Sequence, residues 1–124
     1  MGARAAKFYR TIVTVWRKEG EDEFGRVTYN GPIRIKASFE VGVKNKYTDN
    51  KGIEFIPSSK VWTEFRDVDG VLRDKPSQGD IILLEDSLSN TPPDGAYKIR
   101  HIITHDNTIL DGPNAIPDYE VMTG

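Results

Sequence analysis

The chain is predicted to be mainly β, one small domain in which six or seven short antiparallel strands surround a single core as a barrel or a sandwich. Three observations lead there. Val, Ile and Thr number thirty against thirteen for Ala, Leu and Met, an excess of β-branched residues over apolar helix formers. Eleven Gly and seven Pro interrupt the sequence at short intervals. No stretch sustains the apolar spacing of an amphipathic helix over three turns with caps. A length of 124 residues leaves room for one core, and Val, Ile, Leu and Phe together make a quarter of the chain, enough to fold around.

The elements follow in order. Met1 to Arg10 is a small basic arm, carrying Arg4, Lys7 and Arg10 and no acid, ahead of a body spanning 11–124. Thr11–Arg17 reads as the first strand, β-branched up to its aromatic Trp16. An acidic break, Glu19 to Glu23, precedes Gly25 and a second run from Arg26 to Tyr29, and Asn30-Gly31-Pro32 is a turn by composition. From Ile33 to Val43 the period is two. Ile33, Ile35, Ala37, Phe39, Val41 and Val43 share one face, while Arg34, Lys36, Ser38, Glu40 and Lys44 share the other.

That strand runs on to Asp49-Asn50-Lys51-Gly52, which suits a type I turn closed by a left-handed glycine, and returns as Ile53 to Glu64. Pro57 cannot donate to a ladder, so it marks an edge or a bulge. The hairpin 33–64 is long. Sixteen extended residues would reach on the order of 50 Å at about 3.3 Å each, while a domain of this mass is roughly 30 Å across. Part of it must project from the body or bend around it. Two polar connections, 65–79 and 85–95, flank the apolar strand Ile81–Leu84. Ala96–Thr104 is the next strand, with Tyr97, Ile99, His101 and Ile103 on one side, and Tyr119–Met122 closes the set.

Catalysis finds little support in the residues. The absence of cysteine excludes disulfides, thiolate metal sites and a cysteine nucleophile. His101 and His105 fall on one strand face about 13 Å apart, too far to share a metal. Asp67-Val68-Asp69-Gly70 opens like a calcium loop but lacks the later ligands, so a hairpin turn is the better account. No phosphate-binding glycine loop and no serine elbow occurs. The expectation is a protein that is not an enzyme and needs no cofactor or metal. No apolar run approaches the roughly 20 residues of a membrane span. The first residues lack the apolar stretch of a secretory signal, so synthesis and retention in a cytoplasm are expected.

With a net charge of -2 the chain is not a generally basic nucleic-acid binder, yet its charge is uneven. Arg34, Lys36, Lys44, Lys46 and Lys51 outnumber Glu40 and Asp49 along the hairpin. Acids dominate at Glu19–Glu23 and between Asp80 and Asp94. Lysines at a hairpin tip suffice for phosphate contact, while base readout needs a recognition element that is not evident. The aromatics Tyr9, Trp16, Tyr29, Phe39, Tyr47 and Trp62 fit core or subunit contacts better than base-stacking platforms, because most fall in phase with aliphatic neighbours.

The layout also resembles a family. Thr14-Val15-Trp16-Arg17, the step Tyr29-Asn30-Gly31-Pro32, the alternating Ile33 to Glu40, the hairpin turn at Asp49–Gly52, Val61, the step Gly79-Asp80-Ile81-Ile82-Leu83 and Ala96-Tyr97-Lys98-Ile99 occur in that order. Over residues 10–104 this is similar to the head-completion, or head–tail joining, proteins of long-tailed bacteriophages. The resemblance implies a small single-domain β-barrel with a long projecting hairpin and extended loops. It implies a homo-oligomeric ring, a hexamer or dodecamer, assembled in the host bacterial cytoplasm and placed at the head–tail interface of the virion. Its partners would be portal and adaptor proteins on one side and a tail terminator or tail tube on the other, with non-specific contact to packaged DNA. The matching channel hairpin would comprise Lys44, Lys46, Tyr47, Asp49, Asn50, Lys51 and Gly52, and its retraction would be a conformational switch. Arg4, Lys7 and Arg10 would form a contact arm. A tail-terminator or other neck ring, and a monomeric nucleic-acid-binding module of OB or SH3 type, are the alternatives.

Overall fold

Val13 and Val15 on β1 (Thr11–Trp16) lie in the same two-residue phase as Ile35 and Ala37 on β4 (Ile33–Val41), and all four are fully buried. The register Val13↔Ile35 sets their side chains against one another across an antiparallel pair. The structure, a computed structural model, describes residues 10–106, 112 and 116–124. Among the described residues there are ten strands and no helix. The others are β2 (Lys18–Glu21), β3 (Val27–Tyr29), β5 (Tyr47–Thr48), β6 (Glu54–Phe55), β7 (Ser59–Thr63), β8 (Ile81–Leu83), β9 (Tyr97–His105) and β10 (Asp118–Thr123).

Six strands close into an antiparallel barrel in the order β1-β4-β7-β10-β9-β8. It consists of two meanders, β1-β4-β7 and β8-β9-β10, joined where β7 meets β10 and where β8 meets β1. Closure leaves neither meander with an unpaired flank. The core gathers one inward row from each wall: Val13, Val15, Ile35, Ala37, Val61, Ile82, Ile99 and Val121, with Phe65 among them. The strands β2–β3 and β5–β6 form separate two-stranded ribbons inserted between barrel strands. The barrel is therefore the predicted fold, with the two ribbons as its extensions.

Two outer faces of the barrel are covered as well. Thr14 accepts a hydrogen bond from the Ser87 N–H and donates one to the Glu85 carbonyl, each 2.8 Å. Trp16 Nε1 donates to the Ser89 carbonyl at 2.9 Å. The connection after β8 is thereby laid over β1, and this explains why Thr14 and Trp16 are fully buried although they alternate with the core valines.

The second cover is the hairpin. Its inward-phase residues Phe39 and Val41 become exposed at the end of β4, and Gly42 then turns the chain at φ +68°, which favours glycine. Beyond that turn the β5–β6 ribbon lies over β7 and β9. Tyr47 receives a hydrogen bond of 2.7 Å from Lys60 Nζ, and Phe55 meets His101 edge to face at 6.4 Å. Met122 is paired opposite Lys60 and His101 and is fully buried. Of the two ways to accommodate so long a hairpin, the chain bends around the body. The expectation of a projecting tip is corrected to that extent, because Phe55 and Val43 gain burial by folding back.

The alternation expected along β9 is also corrected. Met122 pairs with His101 but Thr123 pairs with Ile99, so Arg100 is an extra residue, a β-bulge. The bulge reverses the phase: Ile99 and Ile102 both reach the core, and Tyr97, Ile99, His101 and Ile103 do not share one side.

Candidate functional site: a basic cleft between two ribbons

Three turns in the chain have one construction. In Asp22–Arg26, Asp49–Ile53 and Asp67–Val71, the aspartate N–H donates to the carbonyl four residues on, and the glycine N–H donates to the aspartate carbonyl. One carboxylate oxygen then accepts from the backbone N–H groups two and four residues later, at 2.9–3.0 Å. Gly25, Gly52 and Gly70 have φ of +78°, +77° and +85°. The other oxygen is held by an arginine: Arg26, Arg100 or Arg73. The turn expected at Asp49–Gly52 is thus present, as is the hairpin turn at Asp67–Gly70.

The three differ in where the arginine comes from. Arg26 closes its own turn, and Arg73 lies two residues past the end of its own. Arg100 comes from the bulge in β9, stacks on the Phe55 ring at 4.3 Å and reaches Asp49 Oδ2 at 3.3 Å. A bulge re-aims a side chain, and here it points a guanidinium at the hairpin tip. The hydrogen bond from the Ile53 N–H foremost, then those from Lys51 and Arg100, hold the Asp49 carboxyl below its usual range against the opposing effect of burial. Burial works against the charge of Lys60 too, but its bonds with Tyr47 and Glu120 prevail and raise its pKa.

Of the predicted channel hairpin, Tyr47 and Asp49 are therefore fastened inward, and Gly52 supplies the turn. Lys44, Lys46, Asn50 and Lys51 are exposed, and among the described residues the three lysine side chains have no ion pair. Arg4 and Lys7 lie outside the described residues, and Arg10 is exposed at the start of β1. The charges expected on the hairpin face are partly internal: Arg34 is bound in a two-point ion pair with Asp86. Asp80, counted with the acidic body, is a buried structural group. It accepts from the Lys18 and Ser77 N–H groups and pairs with Arg17 at 3.0 Å.

A cleft of about 460 Å³ opens between the base of the β2–β3 ribbon and the tip of the β5–β6 ribbon, with β9 as its floor. Tyr29 and Val27 form one wall, Lys51 and Ile53 the other, and Lys98 and Arg100 rise between them. Lys18 and Asp49 also line it, but Lys18 pairs with Glu21 at 3.4 Å and Asp49 with Arg100. The uncommitted charge is that of Lys51 and Lys98. Sequence reading found Lys51 and passed over Lys98, Arg100 and Lys18. The available signal was the basic pair alternating with Tyr97, Ile99 and His101, and nothing local says that this pair converges with residue 51.

In comparisons with known proteins, no family model and no curated sequence matches this chain. The described residues contain no cluster of three or more His, Asp or Glu side chains arranged to hold a metal. They contain no helix long and apolar enough to cross a membrane. The cleft offers charge and apolar contact side by side.

Proposed function

We propose that this chain is a structural virion subunit, a phage head-to-tail connector of the head-completion or stopper type. It would form a ring below the portal and adaptor, close the DNA channel and dock the tail. The observation that carries the reading is the placement of exposed apolar side chains on extensions of the barrel. Phe24 at the β2–β3 tip is 75% exposed, Leu88 in the loop over β1 76%, and Val71 in the third aspartate turn 54%. Ile53 and Ile56 on the second ribbon are each 52% exposed. Single exposed apolar residues are ordinary, but one on every extension of a small barrel suits a subunit that meets several neighbours at once.

The hairpin lysines fit the same reading. Lys44, Lys46 and Lys51 are exposed on an element whose tip is latched to the barrel, so a ring would present them in a repeated, fixed orientation. Such lysines contact phosphates without reading sequence. The test is electron microscopy of lysates from a phage lacking this chain. Separate tails beside heads emptied of DNA support the connector. Intact, infectious tailed particles overturn it in favour of a monomeric binding module.

A further inference from the structure

The β2–β3 ribbon and the cleft beside it are opposite in character. Residues 18–29 carry four acids against two bases, and one of the acids, Asp22, is consumed by its own turn and by Arg26. At the exposed tip Glu23 has no ion pair among the described residues, Glu21 meets only the exposed Lys18 at 3.4 Å, and the ring of Phe24, 5.4 Å from the Arg26 guanidinium, is largely open to solvent. The cleft offers the complement: the ammonium groups of Lys51 and Lys98, without an anionic partner among the described residues, beside the apolar surfaces of Val27, Tyr29 and Ile53. A free phosphate would use the charges and leave those apolar walls idle. An acidic tip with an aromatic residue would use both.

The tip does not enter the cleft of its own molecule. The base of the same ribbon is a wall of the cleft, and none of Glu21, Glu23 and Phe24 lines it. We infer that the cleft receives the Glu21–Phe24 ribbon tip of a second copy of this chain, with Phe24 against the apolar walls and the two glutamates facing Lys51 and Lys98. Ribbon and cleft are different surfaces, so the contact is not two-fold; repeated from copy to copy it generates a ring or an open helix. This deepens the ring reading above and rests on it, since it names the surfaces through which neighbours in that ring meet.

Charge reversal tests the contact. Sedimentation of the full chain at low salt, up to about millimolar concentration, should show association that weakens as salt rises. Glu21→Lys with Glu23→Lys should abolish it, as should Lys51→Glu with Lys98→Glu. An equimolar mixture of the two double variants should associate again, because acid then meets base at both kinds of contact. Phe24→Ser should weaken association at every salt concentration. Unchanged circular dichroism and melting temperature exclude misfolding as the cause. A wild-type chain that stays monomeric throughout, a reversed variant that associates like wild type, or a mixture that stays monomeric overturns the contact. The connector reading fails separately: intact tailed particles without the chain would remove it while leaving a measured ribbon–cleft contact in place.

Discussion

Arg100 fastens the hairpin tip to the barrel: its Nη2 lies 3.3 Å from Oδ2 of Asp49, a residue 51 positions earlier. The bond joins a bulge in one strand to a turn at the end of another, and it sets the position of the cleft wall that carries Lys51 and Ile53.

Acid should loosen that fastening. The Asp49 and Asp67 carboxyls are both held below the ordinary value of 3.8, each foremost by a backbone hydrogen bond, from Ile53 and from Val71. A depressed folded-state pKa means the carboxylates contribute stability at every pH above the unfolded value and lose it as pH falls through the lower folded value. Thermal melts should therefore be flat near neutrality and fall below about pH 4. Asp49→Asn keeps an acceptor for the turn but no charge for Arg100, so its melting temperature should depend less on pH across that acid range. An undiminished acid dependence would remove Asp49 from the explanation.

Gly52→Ala should cost about 1–2 kcal/mol, because a Cβ strains the left-handed backbone. The added atom meets nothing within 4 Å, so crowding contributes nothing. Gly31→Ala, equally uncrowded and without a positive φ, should be close to neutral in the same urea titration.

Phe65 has a left-handed φ of 62° although it is not glycine, and it is 1% exposed. Its N–H donates to Thr63 Oγ1 at 2.9 Å, its carbonyl accepts from the Arg73 N–H at 2.8 Å, and the Arg17 guanidinium lies 5.5 Å from its ring. These bonds hold a conformation that would otherwise relax. Phe65→Ala loses the packed ring without relieving the backbone, and denaturation should report a loss of about 3–5 kcal/mol.

Thr14→Val preserves the shape of the side chain but strands the Ser87 N–H and the Glu85 carbonyl. The expected loss is about 1–3 kcal/mol. Amide hydrogen exchange should speed up in 85–91 ahead of the barrel strands, because the loop is held by Thr14 and Trp16 while the strands hold one another.

Lys44→Glu with Lys46→Glu should leave melting unchanged, both side chains being exposed and outside any ion pair among the described residues. If the chain closes the DNA channel as proposed, filled heads carrying the variant should release their genome, measured as nuclease-sensitive DNA in purified particles. Heads that keep their DNA as wild type does would remove the gating role from these lysines.

Much of this fold can be read from local pattern. The two-residue period of Ile33–Ala37 marks a wall facing the core, and Asp-x-x-Gly states its own turn, because both depend on backbone geometry within a few residues. The same rule fails along β9, where one extra residue in the ladder reverses the phase after Ile99, and a bulge is defined only by the partner strand. Trp16 and Met122 are buried for a reason no window shows: one lies beneath a loop some 70 residues away in sequence, the other opposite strand residues that face the folded-back ribbon. The candidate site divides in the same way. Lysines at a hairpin tip are visible in the sequence, whereas the meeting of Lys51, Lys98 and Arg100 with Tyr29 depends on barrel closure and on the bend at Gly42. Side-chain periodicity is a property of the chain next to itself; convergence is a property of which distant strands pair and in what register, and that is decided by packing the whole core.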